Sequence, residues 1–355
     1  MPEEKKVDRR GWLTGALGAA AGLAVGGAIG YVAKPTPPPQ VTAPTVTLTK
    51  TETATATVGP PPVPKKYTIF YVVHGGIAHP AWRANKKGVD AAVAMIPEAD
   101  IRYVGPETYS LEEFLSYVTT AVAANPDGLV VTMTAPDAMV PILKDYKGVI
   151  TEVNTGGSAP PTIPTLTYVG YKPYDTGQFA AAKMAEMAKA RGLTFRRTVY
   201  ANHHPGAIHI EQWGKGFIDA SKAMGLQSES LDVTADAQKG AEVMLAYERA
   251  HPDLDFIYYA SIEHCEALLR RNEEEGIKMN MGTFDFTPEM MDFIAQGKVW
   301  FTQDQQMYLQ GLYGVMATYV NLTYKFVTPR MITTIGFVTP ENAEEFKGFA
   351  EIGVR

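Results

Sequence analysis

Residues 67–93, "YTIFYVVHGGIAHPAWRANKKGVDAAV", decide the fold. The run from Tyr67 to Val72 is aromatic and β-branched, the composition of a buried strand. Gly75 and Gly76 then break the run. After Pro80, Val89, Ala92 and Val93 recur at helical spacing. A strand, a glycine turn and a helix in that order announce an α/β fold. His74, His79 and Trp82 sit at the mouth of this first strand, which raises the question of what they meet there.

The same alternation continues outward. Short apolar runs expected to be strands are "IRYVG" from Ile101, "GLVVT" from Gly128, "GVITEVN" from Gly148 and "RTVYAN" from Arg197. They continue with "DFIYYA" from Asp255, "MGTFDF" from Met281 and "VWFTQD" from Val299. Amphipathic stretches such as "SLEEFLSYVTTAVAANP", "TGQFAAAKMAEMAKARG" and "KGAEVMLAYERAHP" lie between them. Short apolar runs alternating with 3.6-residue spacing describe a parallel sheet with covering helices. Ligands of such sheets bind beyond the carboxyl ends of the strands, so the residues after each strand are where function is expected.

The chain has 355 residues, and its length beyond residue 65 favours two lobes over one core. Net charge is −6 with both signs interspersed, which argues against a nucleic-acid partner. Cys265 is the single cysteine, so a disulfide framework or a cysteine zinc site within one chain is excluded. It reads as a small apolar packing group. Residues 1–33 pair Arg9 and Arg10 with an uncharged Gly/Ala-rich run from Gly11 to Ala33, long enough to cross a bilayer as a helix. This resembles a twin-arginine export signal; an ordinary uncleaved anchor is the alternative, and either puts the rest of the chain outside the cytoplasm. A retained helix is favoured. Residues 34–65, rich in proline and threonine, read as an extended stalk.

Taken together, "HGGIAHPAWRANKKGVDAA", "YVGYKPYDTGQFAAAKMAE", "NHHPGAIHIEQWGKGF", "TFDFTPEMMDFIAQGK" and "FTQDQQMYLQG" resemble the type I periplasmic binding proteins, in particular sugar-binding subunits of ABC importers. The motifs fall between residues 66 and 330 in the order that family uses. The resemblance implies two doubly wound parallel-sheet lobes joined by a three-segment hinge with a ligand cleft between them. It places the first lobe at 66–170 and 306–330, and the second at 171–305 and 331–355. Some relatives are repressors with a DNA-binding head; here the export segment and stalk occupy that place.

Asp285 follows an apolar strand, where a carboxylate suits two sugar hydroxyls. The alternative is a helix cap, for which Thr287 is better placed. Asn154 ends its strand as a ligand amide or as an Asx turn. Trp82 is a core side chain or, as the resemblance implies, a platform for a sugar ring, with His79 beside it. The resemblance also puts Gln305 on a crossing between lobes, and Glu211 and Ser261 at ligand positions; several relatives carry arginine where Glu211 stands. Ser261 is equally a helix cap. Of the seven histidines, all but His251 fall in strand-end loops, which invites a metal-site reading. Hydrogen bonding to hydroxyls or a structural use is preferred, and no metal or cofactor is expected.

No Gly-x-Ser-x-Gly elbow and no P-loop occurs in the sequence. The expected function is therefore binding without catalysis: a monomer, tethered at the extracellular face of the membrane or periplasmic if cleaved, that captures a sugar for ABC permease subunits. The alternatives are a nucleoside binder of the related lipoprotein family and, in a different class, a hydrolase of sugars or nucleosides.

Overall fold

The first strand, β1 (Thr68–Val72), has apolar side chains on both faces. Ile69 and Tyr71 join one core cluster, and Phe70 and Val72 join another. A strand buried on both faces belongs to a parallel sheet with helices on either side. The computed structural model, which describes residues 66–76, 78–333 and 336–355, has that architecture twice. The expected anchor and stalk lie outside the described residues. Among the described residues, no helix is long and apolar enough to cross a membrane.

In the first lobe β1 leads into α1 (Pro80–Met95), β2 (Asp100–Val104), α2 (Leu111–Ala123), β3 (Gly128–Thr132), α3 (Pro136–Leu143), β4 (Val149–Val153) and β5 (Thr167–Gly170). The strands lie in the order β2-β1-β3-β4-β5, all parallel. The chain then crosses at Tyr171 to α4 (Pro173–Ala190) and the second lobe. There β6 (Arg197–Asn202), α5 (Ile208–Ala223), β7 (Gln227–Asp232), α6 (Ala237–Ala250), β8 (Leu254–Tyr259), α7 (Ile262–Glu275), β9 (Met281–Phe284), α8 (Pro288–Ala295) and β10 (Phe301–Asp304) repeat the plan. Their order is β7-β6-β8-β9-β10.

At Gln305 and Gln306 the chain returns to the first lobe, where α9 (Met307–Tyr324) packs on α1 and on β3 and β4. Glycines set that helix pair: a Cβ on Gly88 would lie 1.9 Å from the Tyr308 carbonyl oxygen, and one on Gly311 2.1 Å from that of Asn85. The short strand β11 (Met331–Ile332) pairs with Val169 and Gly170 in the first sheet. Residues 331 and 332 therefore lie on the first lobe, not the second, because their backbone continues that sheet's ladder. Thr333 still donates its N–H to the Gly170 carbonyl of the first lobe at 2.9 Å, and β12 (Gly336–Val338) adds antiparallel to β10 in the second, so the chain has made its third crossing. Then α10 (Ala343–Glu351) packs on α8 in the second lobe.

Core residues line both faces of each sheet. Val89, Ala92, Val315 and Tyr319 cover one face of the first, and Phe114, Val118 and Met139 the other. In the second, Met184, Trp213 and Phe217 oppose Met244, Cys265 and Leu268. Cys265 is fully buried among apolar neighbours.

Candidate functional site

The strands β4 and β9 occupy equivalent places in the two sheets. Each is followed by a non-glycine residue with left-handed backbone, Asn154 at φ 69° and Asp285 at φ 74°. Each still donates its N–H to the neighbouring strand: Asn154 to the Val169 carbonyl at 3.0 Å, Asp285 to that of Gln303 at 2.9 Å. Asparagine and aspartate are the side chains that best tolerate this conformation. The turn aims both into a cavity of about 510 Å³ between the lobes. That is within the usual size for small-molecule sites, about 300–1,000 Å³.

Gln305, on the second crossing, joins the two. Its Nε2 donates to Asp285 Oδ1 at 2.6 Å, and its Oε1 accepts from Asn154 Nδ2 at 2.8 Å. Asn154 Nδ2 also donates to Gln310 Oε1 at 3.0 Å. Gln310 in turn donates to the Gln305 carbonyl at 2.8 Å and to Thr333 Oγ1 at 3.3 Å. This buried chain ties cleft residues of both lobes to the second and third crossings. Desolvation pushes the Asp285 carboxyl up to about 7, with the Gln305 amide pulling the other way and Asp304 and Glu263 adding to the rise. Thr287 caps α8 by accepting from the Met290 N–H at 2.9 Å, which leaves Asp285 free of that duty.

Also lining the cavity, His79 is the N-cap of α1 and its Nδ1 accepts from the Ala81 N–H at 3.2 Å. Trp82 combines the two readings of the sequence: it is 7% exposed within the first lobe's core and its ring still lines the cavity. A Cβ on Gly75 would fall 1.6 Å from Trp82 Nε1, so only glycine fits beneath this indole. Ser261 also lines the cavity. It stands at the N-cap of α7 but makes no side-chain cap bond; its hydroxyl lies 2.9 Å from His264 Nδ1.

Glu211 is not part of this lining. It is exposed on the first turn of α5, and Oε1 accepts from Asn202 Nδ2 at 3.1 Å and from the Gly206 N–H at 2.9 Å. Its Oε1 ties down the loop after β6, and the side chain's place outside the cavity lining corrects its expected ligand role.

The histidines supply much of what the sequence reading left unassigned. His74, His203, His204, His209 and His264 join His79 around the cavity. The Nδ1 atoms of His74, His203 and His209 are buried without a hydrogen-bond partner among the described residues. Burial holds His204 down to about 4 and His209 to about 3. Among the described residues, no group of three or more His, Cys, Asp or Glu side chains is spaced to hold a metal ion. Tyr109 and Tyr171 also face the cavity, and neither carried a signal in the sequence beyond its position after a strand. No lysine or arginine lies among the described lining residues.

Two parallel-sheet lobes, three crossings and a polar cleft at the strand ends define a hinged solute-binding protein. The family model of the periplasmic binding protein domain matches residues 69–325, and the chain belongs to that family. It is 24% identical to the xylose/arabinose-binding protein XylF of Sulfolobus acidocaldarius over 76% of this chain and 70% of that one. Its fold matches a carbohydrate transporter from Acidothermus cellulolyticus solved with myo-inositol, at TM-score 0.72 and 22% identity, over 82% of this chain and all of that one. It also matches GanP, a glucose-galactose binding protein from Geobacillus stearothermophilus, at TM-score 0.70 and 22% identity, over 78% of this chain and 99% of that one.

Proposed function

We propose that this protein captures a neutral sugar or similar polyol outside the cytoplasm and delivers it to an ABC importer by hinge closure. The carrying observation is the Asp285–Gln305–Asn154 chain at the floor of the cleft. A buried carboxylate accepts hydroxyl hydrogens, and ligand hydroxyls donating to it favour its ionised form. The lack of lysine or arginine in the described lining favours a neutral ligand over a sugar phosphate or sugar acid. The proposed contacts are His79, Trp82, Asn154, Ser261, Asp285 and Gln305, with unpartnered imidazole nitrogens available for further hydroxyls. A buried polar atom left unpaired costs about 1–3 kcal/mol, so each gains when a hydroxyl meets it.

The named ligands of XylF and of the solved relatives, xylose, arabinose, glucose, galactose and myo-inositol, are the first candidates. A thermal-shift screen of pentoses, hexoses, cyclitols and nucleosides tests the reading, since stabilisation follows ligand concentration over Kd. Stabilisation by one or more neutral sugars or cyclitols is expected. A shift confined to nucleosides would replace the sugar reading, and chemical turnover of a bound sugar would replace binding with catalysis.

Residues 1–65 would tether the domain and hold it away from the membrane, with the monomer presenting both lobes to the permease. Paired Arg9 and Arg10 motivate a twin-arginine route. Arg9→Lys/Arg10→Lys is expected to leave the protein in the cytoplasm of a host with that pathway, read by cell fractionation. Normal export of the variant contradicts the twin-arginine route.

A further inference from the structure

Two ring contacts cross the cleft from lobe to lobe. Tyr109, in the loop after β2, stacks on His204, in the loop after β6, with centroids 4.0 Å apart and planes 23° apart. His74, two residues beyond β1, meets His209 of α5 edge-on at 5.1 Å. His74 and His209 are 6% and 4% exposed, and the Nδ1 of each lacks a hydrogen-bond partner among the described residues. Around His74 the other rings are Trp82, Tyr109 and Phe114, which offer a proton on the imidazole no anionic partner.

We infer that Tyr109, His74, His204 and His209 determine closure as a latch that holds only while its imidazoles are neutral, so that the bound solute is released in mild acid. The inference rests on the solute-binding reading above.

The charge balance around the latch sets the direction. His74, His204 and His209 are pushed down by burial first and by neighbouring imidazoles next, with no carboxylate offsetting any of them. His203 behaves alike, its neighbours being His204, His264, His209 and His79. Carboxylates act on the other two rings: Glu263 favours the charged form of His79 and His264, Asp236 that of His264, and Arg83 opposes it at His79. Glu107 and Asp285 also line the cavity. The Tyr109 hydroxyl is raised by burial and stays neutral.

When the lobes part, water reaches the rings and each returns toward the ordinary histidine value of about 6.5. The closed form then binds fewer protons than the open form, so closure weakens as pH falls from about 6.5 toward about 4. One such imidazole contributes up to about tenfold per pH unit in that window. For sugar affinity Asp285 titrates in the same direction, because its anion is the better hydroxyl acceptor, whereas in the unliganded closed form its raised pKa favours closure in acid. The wild-type profile alone therefore does not isolate the latch.

The test compares the full chain with His204→Phe/His209→Asn, which keeps a ring on Tyr109, removes two of the latch's three imidazoles and leaves His74 and Asp285 in place. Affinity is measured by calorimetry at pH 7.5 and 5.0 with whichever of D-xylose, L-arabinose, D-glucose or myo-inositol binds best, and melting curves at both pH values verify folding. The expected result is a loss of affinity on acidification at least tenfold larger in the wild type than in the variant. Equal losses overturn the latch. If the double variant does not fold, His204→Phe alone carries the same comparison, with at least a threefold difference expected. If none of the four compounds binds the wild type at pH 7.5, it is the sugar reading that fails. The latch is then read from the protein alone by small-angle scattering: the radius of gyration rises on acidification in the wild type and not in the variant, and an unchanged wild-type radius overturns it.

Discussion

Asp285→Ala is expected to weaken sugar binding about a hundredfold or more while the protein still folds. In the proposed complex the carboxylate accepts ligand hydroxyls from a buried position, and hydrogen bonds to a charged group are worth about 1.5–3 kcal/mol each. Every 1.4 kcal/mol is about tenfold in Kd. Alanine also strands the Gln305 amide, which now donates to Asp285 Oδ1. Asp285→Asn separates charge from geometry. Asparagine suits the left-handed backbone, as Asn154 shows at the equivalent strand end, and it keeps an acceptor for Gln305.

The same carboxylate bears on stability. Its folded pKa, about 7, lies above the ordinary aspartate value, so the folded state binds more protons than the unfolded chain between about 4 and about 7. Stability contributed by this group falls as pH rises through that window and is lowest above it. Asp285→Asn removes a penalty on the order of a few kcal/mol at pH 8. The variant without sugar is expected to melt above the wild type at pH 8, with the gap closing toward pH 4, although it binds sugar more weakly. Wild-type affinity in either variant would defeat the proposed site.

Trp82→Ala carries the second large effect, divided between fold and ligand. Removing a buried tryptophan typically costs about 3–5 kcal/mol. This indole fills the space over Gly75 and abuts His74 at 5.2 Å, so its loss loosens the first lobe beside the cleft. Affinity is expected to fall as well, because the ring lines the cavity. Melting curves without sugar and calorimetric titration read the two losses separately. A lowered melting temperature with unchanged affinity would leave Trp82 with a core role alone.

Some of this was legible in the sequence for identifiable reasons. β1, β3 and β9 are buried on both faces, so composition alone marked them. β7 escaped because "QSESLD" is a mostly exposed edge strand whose single buried residue, Ser228, is polar. Asp285 stood out once Thr287 had a better claim to the helix cap, and the structure gives Thr287 that bond. Glu211 misled because its hydrogen bonds depend on how the loop between Asn202 and Gly206 folds back, which sequence spacing does not encode. The stack of Tyr109 on His204 joins two loops distant in the chain, and nothing local to either announces the other.

The central claim, that a neutral sugar or cyclitol closes the two lobes around it, is tested most directly by small-angle scattering at pH 7.5 with and without D-xylose, L-arabinose, D-glucose or myo-inositol, paired with calorimetry. At least one of them is expected to bind at micromolar or lower concentration and to give the wild type a radius of gyration smaller than that of the free protein, while Asp285→Ala at the same sugar concentration keeps the radius of its free form. No binding by any neutral sugar or cyclitol at millimolar concentration, or a radius that stays the same or increases as one binds, would contradict it.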